Sequence, residues 1–381
     1  MRHLIILLFS ILIFLNSNAQ STSNSFNFDG VNRNFITYVP SSYDPLLPVP
    51  LVLCLHGLGD NMNNFSGIGM NYVADTANFI VVTPEALVDG LLGSTAWNSG
   101  ASYVGFTLNS NVDDLGFINA LIDTIANNYS IDQSRVYACG FSMGGFMAQR
   151  LACELNDRVA AIASVAGTIG GALTCTPNKA VSVCHFHGTS DATINYTGNP
   201  YGTDAEQTVN FWVLNNNCNA SNVVTTALPN SNPNDGYTVD HSLYSGCDDN
   251  TDVEFYKVNG ADHVWLGPSN DIFYTTEIWD FFRKHQNSGN ASMASLKDLS
   301  EIIIYPNPSN ETTTIEINSA FNEDILISII DMNGKYIKSI KKEITQGENK
   351  LKLNLKKINP GTYLIAIENE KGKLYKKLNI K

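Results

Sequence analysis

The stretch GFSMGGFMAQRLAC, Gly140 to Cys153, limits the fold more than any other part of this chain. It follows the apolar run RVYAC (Arg135 to Cys139), which reads as a strand, and its second half has the apolar spacing of a helix. A strand that turns into a helix so abruptly needs a sharp corner. Glycine on both sides of the corner residue removes the Cβ atoms that would collide there. G-x-S-x-G in that setting is a nucleophile elbow, which lifts a serine hydroxyl above the end of its strand. The helix behind it directs its positive N-terminal end toward the same point. Ser142 is therefore the candidate nucleophile.

The surrounding sequence alternates strand and helix patterns. VPLVLCLHG (Val49 to Gly57), FIVVTPE (Phe79 to Glu85), AAIASVAG and VSVCHFHG are near-continuous apolar runs ending in turns, as expected of strands buried on both faces. In VDDLGFINALIDTIANNY, residues Leu115, Ile118, Leu121, Ile122, Ile125 and Tyr129 recur at helical spacing, with Asp113 or Asp114 at the N-cap. NDIFYTTEIWDFFRKH (Asn270 to His285) reads as the closing helix. The pattern predicts an α/β fold, a mostly parallel sheet with helices on both faces.

A serine hydroxyl needs a base to take its proton. On this architecture the partners follow in the order Ser, acid, His at the ends of later strands. HFHGTSDATI places Asp191 just past one strand, and EFYKVNGADHVWLG places His263 just past the next. His263 is the expected general base and then acid, and Asp191 the group that orients it. Asp262 adjoins His263 and is the rival acid, but sequence neighbours rarely face each other. The oxyanion of the intermediate needs backbone donors. These are expected to be the N–H of Met143, after the nucleophile, and of Leu58 in LHGLGDN. Trp97 and Trp265 are candidates for an aromatic substrate wall, with core packing as the competing account. His56 reads as a residue that shapes its loop. His185 and His187 share a strand face without a third ligand nearby, so no metal is expected.

Charge divides the chain. Residues 1–296 carry 9 Lys+Arg against 25 Asp+Glu, whereas residues 297–381 carry 14 Lys against 11 Asp+Glu. A net charge of −13 argues against nucleic acid or an anionic membrane as partner. Met1–His3, the apolar run Leu4–Leu15 and the small residues before Gln20 read as a signal peptide over 1–19, too short to span a bilayer. Cleavage there would leave no integral membrane segment. Export permits disulfides. Of the seven cysteines, Cys218 and Cys247 lie in polar loop sequence and are the expected bridge, while Cys54, Cys139 and Cys184 sit in apolar strands. The expected domains are 20–286, a linker over 287–300 rich in Ser, Asn and Ala, and 301–381. TTTIEIN, DILISIID, KLKLNL and TYLIAIEN in that last segment alternate apolar and polar residues between turn signals, as in a small β-sandwich.

LHGLGDN, VDDLGFINALIDTIANNYSIDQSRVYACGFSMGG, RLACE, VAG, HFHGTSD and GADHVWLG together resemble, over about residues 28–285, the secreted esterases grouped with polyhydroxybutyrate depolymerases and feruloyl esterases. The resemblance implies an α/β-hydrolase fold and carboxylic-ester hydrolysis, without metal or cofactor, by Ser142, Asp191 and His263. Two positions depart from it: Leu58 stands where the family often has cysteine, and HVWLG replaces HxWPG. IIIYPNPSNETTTIEI, DMNGK and the closing Lys-rich strand resemble the C-terminal sorting domain of the type IX secretion system. That implies the secretion machinery as a partner and a released or cell-surface enzyme. The expected substrates are feruloyl or acetyl esters of plant polysaccharides, with hydroxyalkanoate polyesters as the alternative. A non-catalytic surface-binding protein on the same fold is the reading from another class.

Overall fold

The structure is a computed structural model that describes residues 19–219, 221, 223–287, 299–319, 322–331, 336–369 and 372–381. All but the last residue of the expected signal peptide, and most of the expected linker, lie outside the described residues. The chain divides into two compact units, with the boundary between Gln286 and Asn287.

The first unit runs β1 (Gln20–Phe28), β2 (Val31–Val39), β3 (Val49–Leu55), α1 (Met62–Phe65), α2 (Met70–Ala77), β4 (Ile80–Pro84), β5 (Ser102–Tyr103), β6 (Phe106–Thr107) and α3 (Asp114–Asn128). It continues with β7 (Ile131–Phe141), α4 (Met143–Glu154), β8 (Ala161–Val165), β9 (Ser182–Gly188), α5 (Ala205–Asn215), β10 (Val224–Ala227), β11 (Thr238–Tyr244), β12 (Val253–Asn259) and α6 (Tyr274–Phe282). Ten strands form one sheet in the order β1-β2-β4-β3-β7-β8-β9-β12-β11-β10. The neighbours from β4 through β12 pair parallel, and hairpin-type antiparallel pairs close both edges.

Every residue of β3, β4, β8 and β9 is buried, because helices cover both faces. The strand alternation divides the core. Leu51, Leu53 and Leu55 of β3 pack with Ile118, Leu121, Met147 and Trp212 of α3, α4 and α5. Val52 and Cys54 point the other way, toward Phe79, Ile278, Phe281 and Phe282. Asp113 caps α3 by accepting from the Gly116 amide at 2.8 Å. This architecture is the α/β-hydrolase fold.

The closing helix is shorter than its sequence pattern. It begins at Tyr274 because Asn270 turns back instead, its side chain accepting from the Gly267 amide at 3.1 Å. The second unit holds β13 (Leu299–Tyr305), β14 (Thr312–Ser319), β15 (Glu323–Asp331), β16 (Tyr336–Ile344), β17 (Gly347–Asn354), β18 (Gly361–Asn369) and β19 (Gly372–Ile380). Sheets β13-β14-β17 and β16-β15-β18-β19 enclose a core of their own, centred on Ile315, Ile317, Ile327, Ile365 and Leu378.

Candidate active site

β7 passes into α4 through Ser142 alone, which takes φ 55° and ψ −120°. A non-glycine residue in that region is strained and persists only when its surroundings fix it. Here the Ser142 amide donates to the Val165 carbonyl at 2.8 Å, and its own carbonyl accepts from the Phe146 amide at 3.0 Å. A Cβ at position 140 would strike the Gly144 carbonyl, and one at 144 would strike the Leu55 carbonyl. The two glycines of the motif are therefore required by close backbone approach, and the serine they flank is half-exposed.

The parallel strands end side by side, so residues just past β9 and β12 meet at this corner. His263 Nδ1 lies 2.8 Å from Asp191 Oδ2. Asp191 is 5 % exposed, and its other oxygen accepts from the Thr193 and Ile194 amides at 2.9 and 2.8 Å. The Phe141 ring, adjacent to Ser142, lies 4.7 Å from the His263 ring. Since a carboxylate only accepts, Nδ1 carries the imidazole proton and Nε2 keeps a lone pair for an incoming hydroxyl. Asp262 is not at the imidazole. Its exposed carboxylate accepts from the Ala192 and His263 amides at 3.1 and 2.8 Å, which ties the two loops together and holds its pKa below the usual carboxylate range.

Leu58 is 47 % exposed, whereas the Met143 side chain is buried. The Leu58 amide has no acceptor among the described residues. Met143 opens α4, so its amide has no partner within the helix. His56 is buried. Its Nε2 accepts from the Ala86 amide at 3.0 Å, so Nδ1 carries the proton and donates to the Gly57 carbonyl at 2.8 Å. Burial holds its basicity down.

Trp97 does not form a wall. It is fully buried and donates to the His56 carbonyl at 2.9 Å, so it supports the loop from behind and offers no surface to a ligand. Trp265 is half-buried, edge-on to Phe65 at 5.6 Å, with its Nε1 donating to Thr275 at 3.2 Å. His185 and His187 share one face of β9, and no cluster of three metal-ligating side chains occurs among the described residues.

Some of the supporting contacts have no local sequence signal. Asp114 takes Arg33 at 2.6 Å and the Asn98 amide at 2.7 Å, fixing the loop that holds Trp97. The structure joins Cys218 to Cys247, and also Cys153 to Cys175, while Cys54, Cys139 and Cys184 are free and buried.

Residues 45–219 match the phospholipase/carboxylesterase family, and residues 303–381 match the secretion system C-terminal sorting domain. Feruloyl esterase D of Neurospora crassa is 27% identical over 290 residues, covering 70% of this chain and 86% of that protein. Feruloyl esterase C of Emericella nidulans is 27% identical over 268 residues, covering 67% and 86%. A bifunctional acetylxylan esterase/xylanase of Neocallimastix patriciarum is 29% identical over 262 residues, which is 66% of this chain but 33% of that protein. The chain is similar to the phospholipase/carboxylesterase family over residues 45–219. It is a serine carboxylic-ester hydrolase whose sorting domain marks it as secreted or displayed on the cell surface.

Proposed function

We propose that Ser142, His263 and Asp191 hydrolyse feruloyl or acetyl esters of plant polysaccharides through an acyl-enzyme. The observation that carries this is the buried Asp191 carboxylate 2.8 Å from His263 Nδ1, beside the elbow that holds Ser142. His263 Nε2 takes the Ser142 proton as Oγ bonds to the ester carbonyl carbon. The amides of Leu58 and Met143 receive the oxyanion. The tetrahedral adduct collapses, the alkoxide leaves with the proton held by His263, and water repeats the sequence in reverse to free the acid. Asp191 stabilises the imidazolium at each stage.

The names of the relatives support the choice of plant-wall esters, and the sorting domain supports the type IX secretion machinery as partner. The test is initial rates on methyl ferulate and on a 3-hydroxybutyrate oligomer, with Ser142→Ala as blank. Ferulate turnover well above the oligomer is expected, and the reverse would make the enzyme a polyester or oligoester hydrolase. Ser142→Ala should abolish turnover and labelling by a fluorophosphonate probe. His263→Ala should cost about 10³- to 10⁴-fold in kcat or more. Unchanged turnover in either variant would overturn the assignment.

A further inference from the structure

β9 ends on HFHG, and both of its histidines are buried outside the three residues assigned above. His187 Nε2 lies 2.7 Å from the carbonyl oxygen of Ile194. A carbonyl can only accept, so Nε2 carries a proton. Burial keeps the ring neutral and pushes its basicity down, which leaves a lone pair on Nδ1. That nitrogen lies 3.2 Å from His185 Nε2, which must then donate. His185 stacks on the Phe255 ring at 5.7 Å, and its buried Nδ1 makes no hydrogen bond among the described residues. The hydrogen bonds run in one direction: His185 Nε2–H to His187 Nδ1, then His187 Nε2–H to Ile194.

Ile194 closes the loop that carries Asp191. Its amide and that of Thr193 fix Asp191 Oδ1 at 2.8 and 2.9 Å. His187 Nε2 is also 3.7 Å from Asp191 Oδ2, the oxygen that receives His263. A single N–H thus holds the far end of the loop and faces the working oxygen. Edge-on contact with Tyr196 at 5.8 Å packs the same ring and offers no competing acceptor.

We propose that His187 is a positioning residue for ester hydrolysis, locked by His185 in its neutral Nε2–H form, which holds Ile194 so that Asp191 Oδ2 meets His263. This rests on the assignment of Ser142, His263 and Asp191 made above. Glutamine places an amide N–H close to where the imidazole Nε2–H stood, whereas leucine places none.

The experiment uses the full chain with His187→Leu, His187→Gln and Asp191→Asn, read by kcat and KM on a soluble ester. His187→Leu should lower kcat about 10- to 100-fold, the scale of a misplaced catalytic group. KM should stay within about threefold, since the ground state is bound elsewhere. His187→Gln should recover most of kcat. Wild-type kcat in a folded His187→Leu protein would overturn the proposal. So would equal losses in the leucine and glutamine variants.

Nitrogen chemical shifts of the imidazoles in the wild-type chain supply a readout independent of any variant's folding. They should show His187 protonated at Nε2 and not at Nδ1 at neutral pH, and the opposite tautomer would sink the idea. Asp191→Asn separates the two levels of argument. If it keeps full activity, the underlying assignment fails and this proposal with it. If it loses activity while His187→Leu does not, only the role of His187 is wrong.

Discussion

At the scale of single residues, the groups proposed to act on the ester stand in sequence motifs, and those that support them do not. Ser142, Asp191 and His263 sit in short motifs whose place in the strand order limits the choices. Trp97 shows the limit. AWNSG looks the same whether its indole faces substrate or core, and only the 2.9 Å bond to the His56 carbonyl decides. The Arg33–Asp114 pair joins residues 81 apart in the chain, and no local pattern announces it.

The buried histidines also have a collective consequence. Burial lowers the basicity of His56, His185 and His187 and brings His285 from 6.5 to about 4, there against the field of Glu254 and aided by Lys284. In the unfolded chain each would take its proton near 6.5. Between about 6.5 and 4 the unfolded state therefore binds more protons, and stability falls as pH falls. Above that window these groups contribute no slope. Thermal scans should show a flat Tm from pH 7 to 8.5 and a drop on the order of 5 °C by pH 5. His285→Phe should shallow the acid slope. An unchanged slope would mean that other groups set it.

At the scale of elements, the apolar parallel strands were readable because burial on both faces writes an unbroken run. The edge pairs β1–β2 and β10–β11 were not, because QSTSNSFNF and VTTA are largely exposed and carry little apolar signal. Cysteines divide in the same way. Cys218 and Cys247 stand in polar loops and announce a bridge, whereas Cys153 lies in the apolar pattern of α4, which hides its bond to Cys175. The Cys218–Cys247 bond closes a separation of 29 residues, tying the end of α5 to the segment after β11. The chain-entropy account gives about 3.5 kcal/mol for a loop of that size. Replacing both cysteines by serine should lower the urea midpoint accordingly and leave turnover of a soluble ester within about twofold at 25 °C, since neither cysteine is among the groups that act on the ester. A midpoint equal to wild type would show that the link does not restrain the unfolded chain.

At the scale of the molecule, the change in charge near residue 297 lies close to the division into two units after Gln286. Each unit has a complete core. The first is built on both faces of the ten-stranded sheet, the second between its own two sheets, and no strand is shared between them among the described residues. Ser142, Asp191, His263, Leu58 and Met143 all belong to the first unit. We expect a fragment of residues 20–286 to unfold cooperatively and to hydrolyse a soluble ester with kcat/KM within about twofold of the full chain. Expressed in a type IX-secreting bacterium with residues 1–19 retained, the truncated protein should remain inside the outer membrane while the full chain reaches the medium or the cell surface. An insoluble or inactive fragment would show that the hydrolase needs its tail to fold. Export of the fragment would show that the tail is not the sorting signal.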